Sequence, residues 1–490
     1  MVLTRKRLDD IFGARRVLDD DPTRAAYACD QSFAPRRMPD YVVFPETVEE
    51  VQRVVRLANE TRTPLIPYSS GLNFHGAALP DHGGIIVNLS RMNKIIQIDQ
   101  ENWSAVVEPG VTFAQLQSAL MEKGFRVLIP FGVPPGRSVL TSMLERDPAM
   151  AAPSFESGNF LIMDTEIVLP DGELFKTGTW CAGGAAGGPL GPVRNVIFRL
   201  WTGAQGTLGI MTKMNLKIEP FIRERKMCFL SFDALADARE PLKMIQRREI
   251  GLECFLLNRF NLACLLSHEW TVPDAFPAAP RPSESFQRYQ RILPPWVLAV
   301  CLAGAPRRPK EKIAYQEEAL QEIGHSLNCE VREELPGVSG LSRLMLHEIV
   351  YPWGILKKFN YQGSVHSLSF KCSLASIADM EATVRNECEA AGYSASSLGG
   401  YLLPLERGRA VHAEFDLHCD LNSDSEAGKV KQLWTAASQA LINQGAYFDQ
   451  PYGAWAEMVY QRAGEYTGKL RQIKRELDPN GILNPGKLCF

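Results

Sequence analysis

Residues 67–76 read Pro67-Tyr68-Ser69-Ser70-Gly71-Leu72-Asn73-Phe74-His75-Gly76, a run of small and turn-prone residues that continues the apolar stretch Pro64-Leu65-Ile66-Pro67. A loop of this composition leaving a strand can aim successive backbone N–H groups into one space, a nest suited to a pyrophosphate, with Ser69 and Ser70 adding hydroxyls. A tight surface turn accounts for the same residues equally well. The run has neither the Gly-x-Gly-x-x-Gly spacing of a dinucleotide fingerprint nor a Walker loop. A simple nicotinamide dehydrogenase or an ATPase is therefore disfavoured.

Outward from this loop the hydrophobic period keeps changing. Asp40 to Phe44 is a short apolar run ending at Pro45, and Thr47 to Glu50 has capping-box spacing ahead of a helical stripe of Val48, Val51, Val54, Val55 and Ala58. Strands are expected at Pro64–Pro67, Gly84–Leu89, Ile95–Asp99 and Ser104–Glu108, and a second capping box at Thr112–Gln115 opens another helix. Ile162–Leu169, the Asp171-Gly172 turn and Leu174-Phe175 read as a hairpin. Cys181 to Gly191 is a loop with five glycines. The loop Gln205-Gly206-Thr207-Leu208-Gly209-Ile210 enters an expected half-buried strand, Ile210–Ile218, and its glycines would let a ring or ribose approach the backbone, or simply make a turn. This is mixed α and β with more strands than a doubly wound fold needs.

The middle of the chain reads strand–helix–strand twice. Met227–Phe232, a helix within Ala234–Arg248 and Leu252–Leu257 form one unit; Val365–Phe370, Ile377–Cys388 and a segment near Ala410–Phe415 form the other. Two such units imply one antiparallel sheet backed by helices, built from a split repeat. Tyr466–Leu477 is helical in character, stopped by Asp478-Pro479-Asn480-Gly481, and Ile482–Gly486 follows as an extended tail.

At 490 residues, the length implies two or three domains. Fifty-three basic against 56 acidic side chains give a formal charge of −3, so no overall attraction to nucleic acid or anionic lipid is expected. The 11 cysteines are dispersed with no Cys-x-x-Cys, which disfavours an iron–sulfur cluster and gives a disulfide framework no compositional support at this size; reduced thiols imply a cytoplasmic protein. No apolar run is long enough to span a membrane, Trp296–Gly304 being the most lipid-like.

With these motifs in order, the sequence resembles the FAD-linked oxidoreductases of the vanillyl-alcohol oxidase and p-cresol methylhydroxylase (PCMH) family. "FPETVEEVQRVVRLANE", "PYSSGLNFHGAALP", "VNLSRMNKIIQIDQENWSAVVEPGVTFAQLQSAL" and "LPDGELFKTG" carry that likeness. "GAQGTLGIMTKMNLKIEP" and the terminal "LDPNGILNPGK" are similar to segments of the glycolate oxidase and D-lactate dehydrogenase branch. The resemblance implies an α+β fold: a two-part PCMH-type FAD-binding domain over residues 1–220, an inserted cap over 221–440 with an antiparallel sheet backed by helices, and a segment, 441–490, returning to the FAD domain. It assigns Ser69, Ser70, Gly71, Leu72 and Asn73 to the pyrophosphate loop, closed by Gly76. Pro134, Ser138, Ser142 and Glu145 would run beside the flavin, Gly209 and Ile210 against its adenosine half, and Asn484 and Lys487 on the returning tail.

The departures are informative. Relatives usually carry paired glycines in the second loop, where this chain has Gly136-Arg137-Ser138. No carboxylate stands at Asn195–Trp201, where the vanillyl branch has a catalytic Asp, and its phenolate-holding Tyr-Arg pair falls on Trp455 and Ala456. Flavin oxidation needs a place for the hydroxyl proton, and histidine is suited to that near neutral pH. His412, Glu414, Asp416 and His418 alternate onto one strand face, a pattern consistent with a proton relay, a metal site or a solvated face. His366 sits on another cap strand, and Tyr452 and Trp455 belong to an aromatic cluster with Tyr447 and Tyr460; Arg343, Arg407 and Arg409 are the candidates to clamp a carboxylate.

The expectation is thus an FAD oxidoreductase, with His412, His418, His366, Tyr452 and Trp455 as catalytic candidates and no metal. Its substrate is an aromatic or hydrophobic alcohol or a para-substituted phenol, the alternatives being a D-2-hydroxy acid or a role as flavoprotein subunit of an electron-transfer complex. Electrons leave to oxygen or to a cytochrome or iron–sulfur partner, and a homo-oligomer is expected.

Overall fold

The computed structural model describes residues 2–72, 75–150, 161–184, 196–274, 278–304 and 306–490. Asn73, in the pyrophosphate loop, and most of the five-glycine loop lie outside the described residues.

The first layer is a four-stranded sheet in the order Val17–Leu18, Tyr41–Val43, Ile85–Asn88, Leu65–Tyr68, with the last three strands parallel. The helix Val48–Thr61 connects two of them. Its Thr47 side chain accepts from Glu50 N at 3.3 Å, and Val51, Val54, Val55 and Ala58 are buried beneath it, as the 3.6-residue period dictates. Leu65–Tyr68 sits at the sheet edge, and the chain's last segment covers it. Leu65 N donates to Ile482 O (2.7 Å) and Asn484 N donates to Leu65 O (2.8 Å).

The second layer is a wholly antiparallel five-stranded sheet, ordered Ile95–Asp99, Ser104–Val107, Ile210–Lys217, Ile162–Val168, Leu174–Lys176. Ile210–Lys217 is not half-buried as its alternation implies. It is the central strand with apolar layers on both sides: Ile210 packs with the Val48–Thr61 helix, while Met211, Met214 and Leu216 pack with Leu116, Leu120 and Met143.

The cap sheet has six antiparallel strands in the order Arg225–Phe232, Trp296–Ala303, Glu253–Asn258, Gly399–Leu405, Ala410–Cys419, Ser364–Ser373. In each half the third strand in sequence lies between the first and the second, so the repeat unit is strand–helix–strand–strand. Trp296–Ala303, the most lipid-like stretch, is an inserted strand buried on both faces, which explains its unbroken apolar run. Helices cover one face with Arg239–Arg247, Ile377–Ala390 and Asp424–Asn443, and the other with Arg259–Leu266 and Leu341–Glu348. The cap is tied to the rest by Gln117 Nε2 donating to Val350 O (2.9 Å) and by a buried Arg126–Glu253 ion pair (2.6 Å). No helix among the described residues is long and apolar enough to cross a membrane.

Candidate active site

Three cavities run between these layers. The smallest, about 90 Å³, is walled by Pro67, Thr141, Glu145, Trp201, Gly206 and Gly209. A second, about 120 Å³, lies between Leu72, Phe131, Pro134 and Arg137 on one side and Tyr401 and His412 on the cap. The third, about 1000 Å³, is lined by Phe33, His366, Trp434, Tyr452, Trp455 and Tyr460. The smallest and largest share Ala77 and Gln205; the second and the largest share His75 and Tyr452.

Among the described residues of the loop, Ser69 and Ser70 are held from below. Ser69 Oγ meets Thr141 Oγ1 at 2.7 Å, and Ser70 Oγ accepts from Ser138 N at 3.1 Å. Gly71 has φ +65°, and a Cβ there would fall 1.9 Å from the Tyr68 hydroxyl, so only glycine fits. Among the described residues, the amides of Ser70, Gly71, Leu72 and Ala77 have no protein acceptor. Gly76 differs, because its N–H is taken by Asp30 Oδ2 at 2.8 Å; it closes the loop by anchoring it.

Arg137 resolves the ambiguity left by the missing glycine pair. Its guanidinium donates to Leu72 O (2.8 Å) and to Asp147 Oδ2 (2.9 Å), bracing the loop's back. Burial opposes its charge and is the largest single influence, but Asp147, Tyr452 and Glu145 together outweigh it and hold its pKa above the usual value. Ser138 caps the helix Val139–Glu145, its hydroxyl donating to Pro109 O (2.6 Å), and Ser142 donates to Asp147 Oδ2 (2.8 Å). Asn484, at φ +40°, donates to Ala77 O (3.0 Å) and Gln205 O (2.6 Å), joining the tail to both glycine loops. Lys487 Nζ bonds Asp81 Oδ2 (2.8 Å) at the mouth of the large cavity.

The comparisons with known proteins agree with this geometry. A family model described as "FAD binding domain" matches residues 39–178, and one described as "FAD linked oxidases, C-terminal domain" matches 454–488. The chain is an FAD-dependent oxidoreductase with a PCMH-type fold. The flavoprotein is 24% identical to the glycolate oxidase subunit GlcD of Bacillus subtilis over 99% of this chain and 96% of that protein. With the mitochondrial D-lactate dehydrogenase [cytochrome] of Arabidopsis thaliana it shares 28% identity, over 41% of this chain and 34% of the relative. Its fold matches a p-cresol methylhydroxylase crystal structure with a TM-score of 0.81 at 19% identity, covering 99% of this chain and 96% of that one.

The residues present fit FAD. Unpartnered loop amides suit a diphosphate, Asn484 Oδ1 is buried without a partner beside them, and the large cavity adjoins each of the two smaller ones through shared wall residues. Ser69–Leu72 and Ala77 would hold the diphosphate, the walls at Glu145, Gly209 and Ile210 one end, and Leu72, Pro134 and Tyr452 the other. Gly209 is also a packing glycine: a Cβ there would lie 2.8 Å from both Ile167 Cγ2 and Trp201 Nε1.

The flavoprotein's five sequence-derived catalytic candidates separate. His412 and Tyr452 meet at the 120 Å³ cavity, and His366 and Trp455 line the large one. His418 lines none of these three cavities. It is sealed against Phe260 and Tyr361 with both ring nitrogens unpartnered, and burial lowers its pKa to about 4. The shared face of His412, Glu414, Asp416 and His418 is therefore not a single cluster. His412 Nε2 pairs with Glu414 Oε1 (2.8 Å), while Asp416 is engaged by Lys358 (2.9 Å) and Ser367 (2.6 Å). Burial opposes the Asp416 charge and is the largest single influence, but Lys358, His418 and Ser367 together outweigh it and keep the carboxyl low. No group of metal-ligating side chains is gathered among the described residues. Of the three clamp candidates, Arg407 pairs with Glu249 and Arg409 with Glu406, both largely exposed, and none of the three lines these cavities.

Sequence reading missed Lys358, Tyr401 and Phe33. Each lies far along the chain from the others and carries no motif. His75 was legible as part of its loop, but its stacking on Tyr452 (centroids 4.9 Å apart) was not.

Proposed function

We propose that this flavoprotein oxidises an aromatic or hydrophobic alcohol, or a para-substituted phenol, at the carbon next to the hydroxyl or ring. FAD supplies the two-electron acceptor when bound. The observation that carries the reading is His412. Its Nε2 lies 2.8 Å from Glu414 Oε1, and its Nδ1 is buried without a protein partner, in a residue that lines the cavity beside Phe131 and Tyr401. With the Nε2 proton donated to the Glu414 carboxylate, Nδ1 keeps its lone pair and takes the hydroxyl proton as the C–H bond breaks. Glu414 then stabilises the imidazolium.

Aromatic walls and the commitment of Arg137 to Leu72 and Asp147 favour this substrate class over a carboxylate. The end-to-end alignment with a glycolate oxidase subunit supports the second reading, a D-2-hydroxy acid. That relative is named as a subunit and the D-lactate enzyme as cytochrome-linked, which supports delivery of electrons to a partner protein. Anaerobic bleaching of the flavin absorbance decides the substrate. Benzylic alcohols and 4-alkylphenols should bleach it and D-2-hydroxy acids should not; the opposite result rejects the proposal.

A further inference from the structure

His366 stands in the wall of the 1000 Å³ cavity with only a small part of its surface accessible. Its ring is clamped by stacking on Phe33, centroids 4.1 Å apart and planes 13° from parallel. Its polar partners all lie at Nε2: Ser364 Oγ at 3.0 Å and Cys419 Sγ at 3.4 Å. The Ser364 hydroxyl has one proton, and the 2.7 Å contact to the Cys419 carbonyl, which can only accept, uses it. Toward His366 the Ser364 oxygen is therefore an acceptor, and Nε2 must carry the ring proton. Nδ1 is left as a lone pair, and among the described residues it has no protein donor. Burial, with His418 and His75 nearby, lowers the pKa of the ring to about 3, so it is neutral at physiological pH.

Resting on the substrate class proposed above, we propose that His366 is a specificity residue. Its Nδ1 accepts a hydrogen bond from a neutral donor group of the substrate, a phenolic hydroxyl or an N–H, and rejects the corresponding ether or anion. A site built around one unpaired acceptor loses that bond when the ligand lacks the donor, and a carboxylate or phenolate would set lone pair against lone pair.

The strand register sets the two histidines apart. His366 pairs with Leu417, five positions along the same strand from His412, so the two rings leave opposite faces of the cap sheet. The bond to His366 is therefore made by the part of the ligand that enters the large cavity, away from His412.

The test uses the holoenzyme and three probes: 4′-hydroxybiphenyl-4-methanol, its 4′-methoxy ether and the 4′-carboxylate. Binding is read from quenching of Trp434 and Trp455, which line the cavity. The hydroxy compound should bind at least tenfold more tightly than the ether, and His366→Phe should abolish the difference. Ser364→Ala, which keeps the ring but frees its tautomer, should shrink it. The 15N shifts of His366 should show a protonated Nε2 and a bare Nδ1. Equal binding of alcohol and ether, a preference that survives His366→Phe, or a protonated Nδ1 would each overturn the proposal. The substrate reading fails separately: it falls if D-2-hydroxy acids bleach the flavin while every aromatic alcohol leaves it oxidised.

Discussion

The phenol of Tyr452 donates to the carboxyl of Glu145, a buried contact that joins the cavity shared with His75 to the helix carrying the second glycine-poor loop. Burial raises the Glu145 pKa above its usual value of 4.5, more than Tyr452 and Arg137 lower it. A carboxyl whose folded pKa is raised adds stability that is fully present below the unfolded value and is lost as pH rises through the folded one. Glu145→Gln removes that penalty. Thermal melts of the variant should gain on the parent as pH rises from about 4.5, whereas Tyr452→Phe should lose roughly 1–3 kcal/mol by stranding the carboxyl.

The two buried histidines work in the opposite sense. Burial lowers His366 to about 3 and His418 to about 4 from 6.5, so the unfolded chain binds more protons than the folded one in between. Their contribution is complete above pH 6.5 and is lost as pH falls toward those values. The melting temperature should therefore drop steeply between pH 6.5 and 4, and His418→Phe, matched to its Phe260 and Tyr361 surroundings, should flatten that slope. An unchanged slope would mean that the ring is not held neutral.

Asn484 ties together three segments that are remote in sequence, through bonds to Ala77 O (3.0 Å) and Gln205 O (2.6 Å). Asn484→Ala deletes both, at about 1 kcal/mol each, and places alanine at φ +40°. The expected outcome is a stability loss of about 2 kcal/mol or more and faster release of FAD on gel filtration, read as the absorbance ratio of flavin to protein.

Much of this was legible because local rules decide it. The Thr112–Gln115 capping box forms both of its bonds, and Gly71 occupies a position where any side chain would strike Tyr68. Sequence failed where long-range partners decide. Alternation at Ile210–Lys217 could not report that helices would cover its outer face, and nothing near Gly399–Leu405 advertised a strand between two others. The histidine alternation at 412–418 was right about the face and wrong about company. Lys358 and Ser367 capture Asp416, splitting a row of four into a cavity-lining pair and a sealed ring. Arg137 shows the same limit: its partner Leu72 O is 65 positions away.

Arg126 and Glu253 form the most buried ion pair between the cap and the layers beneath it, 3% and 1% exposed. Glu253→Gln keeps the shape but leaves a buried guanidinium with, among the described residues, Glu219 as its remaining counter-charge, 3.4 Å away and partly exposed. A loss of about 3 kcal/mol is expected, the low end for a broken buried pair. Glu219→Gln should cost less than about 1 kcal/mol. Equal midpoint shifts for the two variants in urea would show that the pair does not couple the layers.

His412 and His418 lie on one strand face, yet only the first reaches a cavity, and this makes them a matched pair for assigning the base. Removing a general base typically slows the chemical step by about 10²–10⁴-fold. His412→Asn should therefore slow anaerobic flavin reduction by that order while FAD content stays at the parent level. Glu414→Gln should slow it less, because the base survives and loses only its stabilising carboxylate. His418→Asn should leave the reduction rate near the parent value, since its ring faces Phe260 and Tyr361. Stopped-flow absorbance at saturating substrate separates the three. A rate that falls with His418 but not with His412 would move the proton acceptor off this cavity altogether.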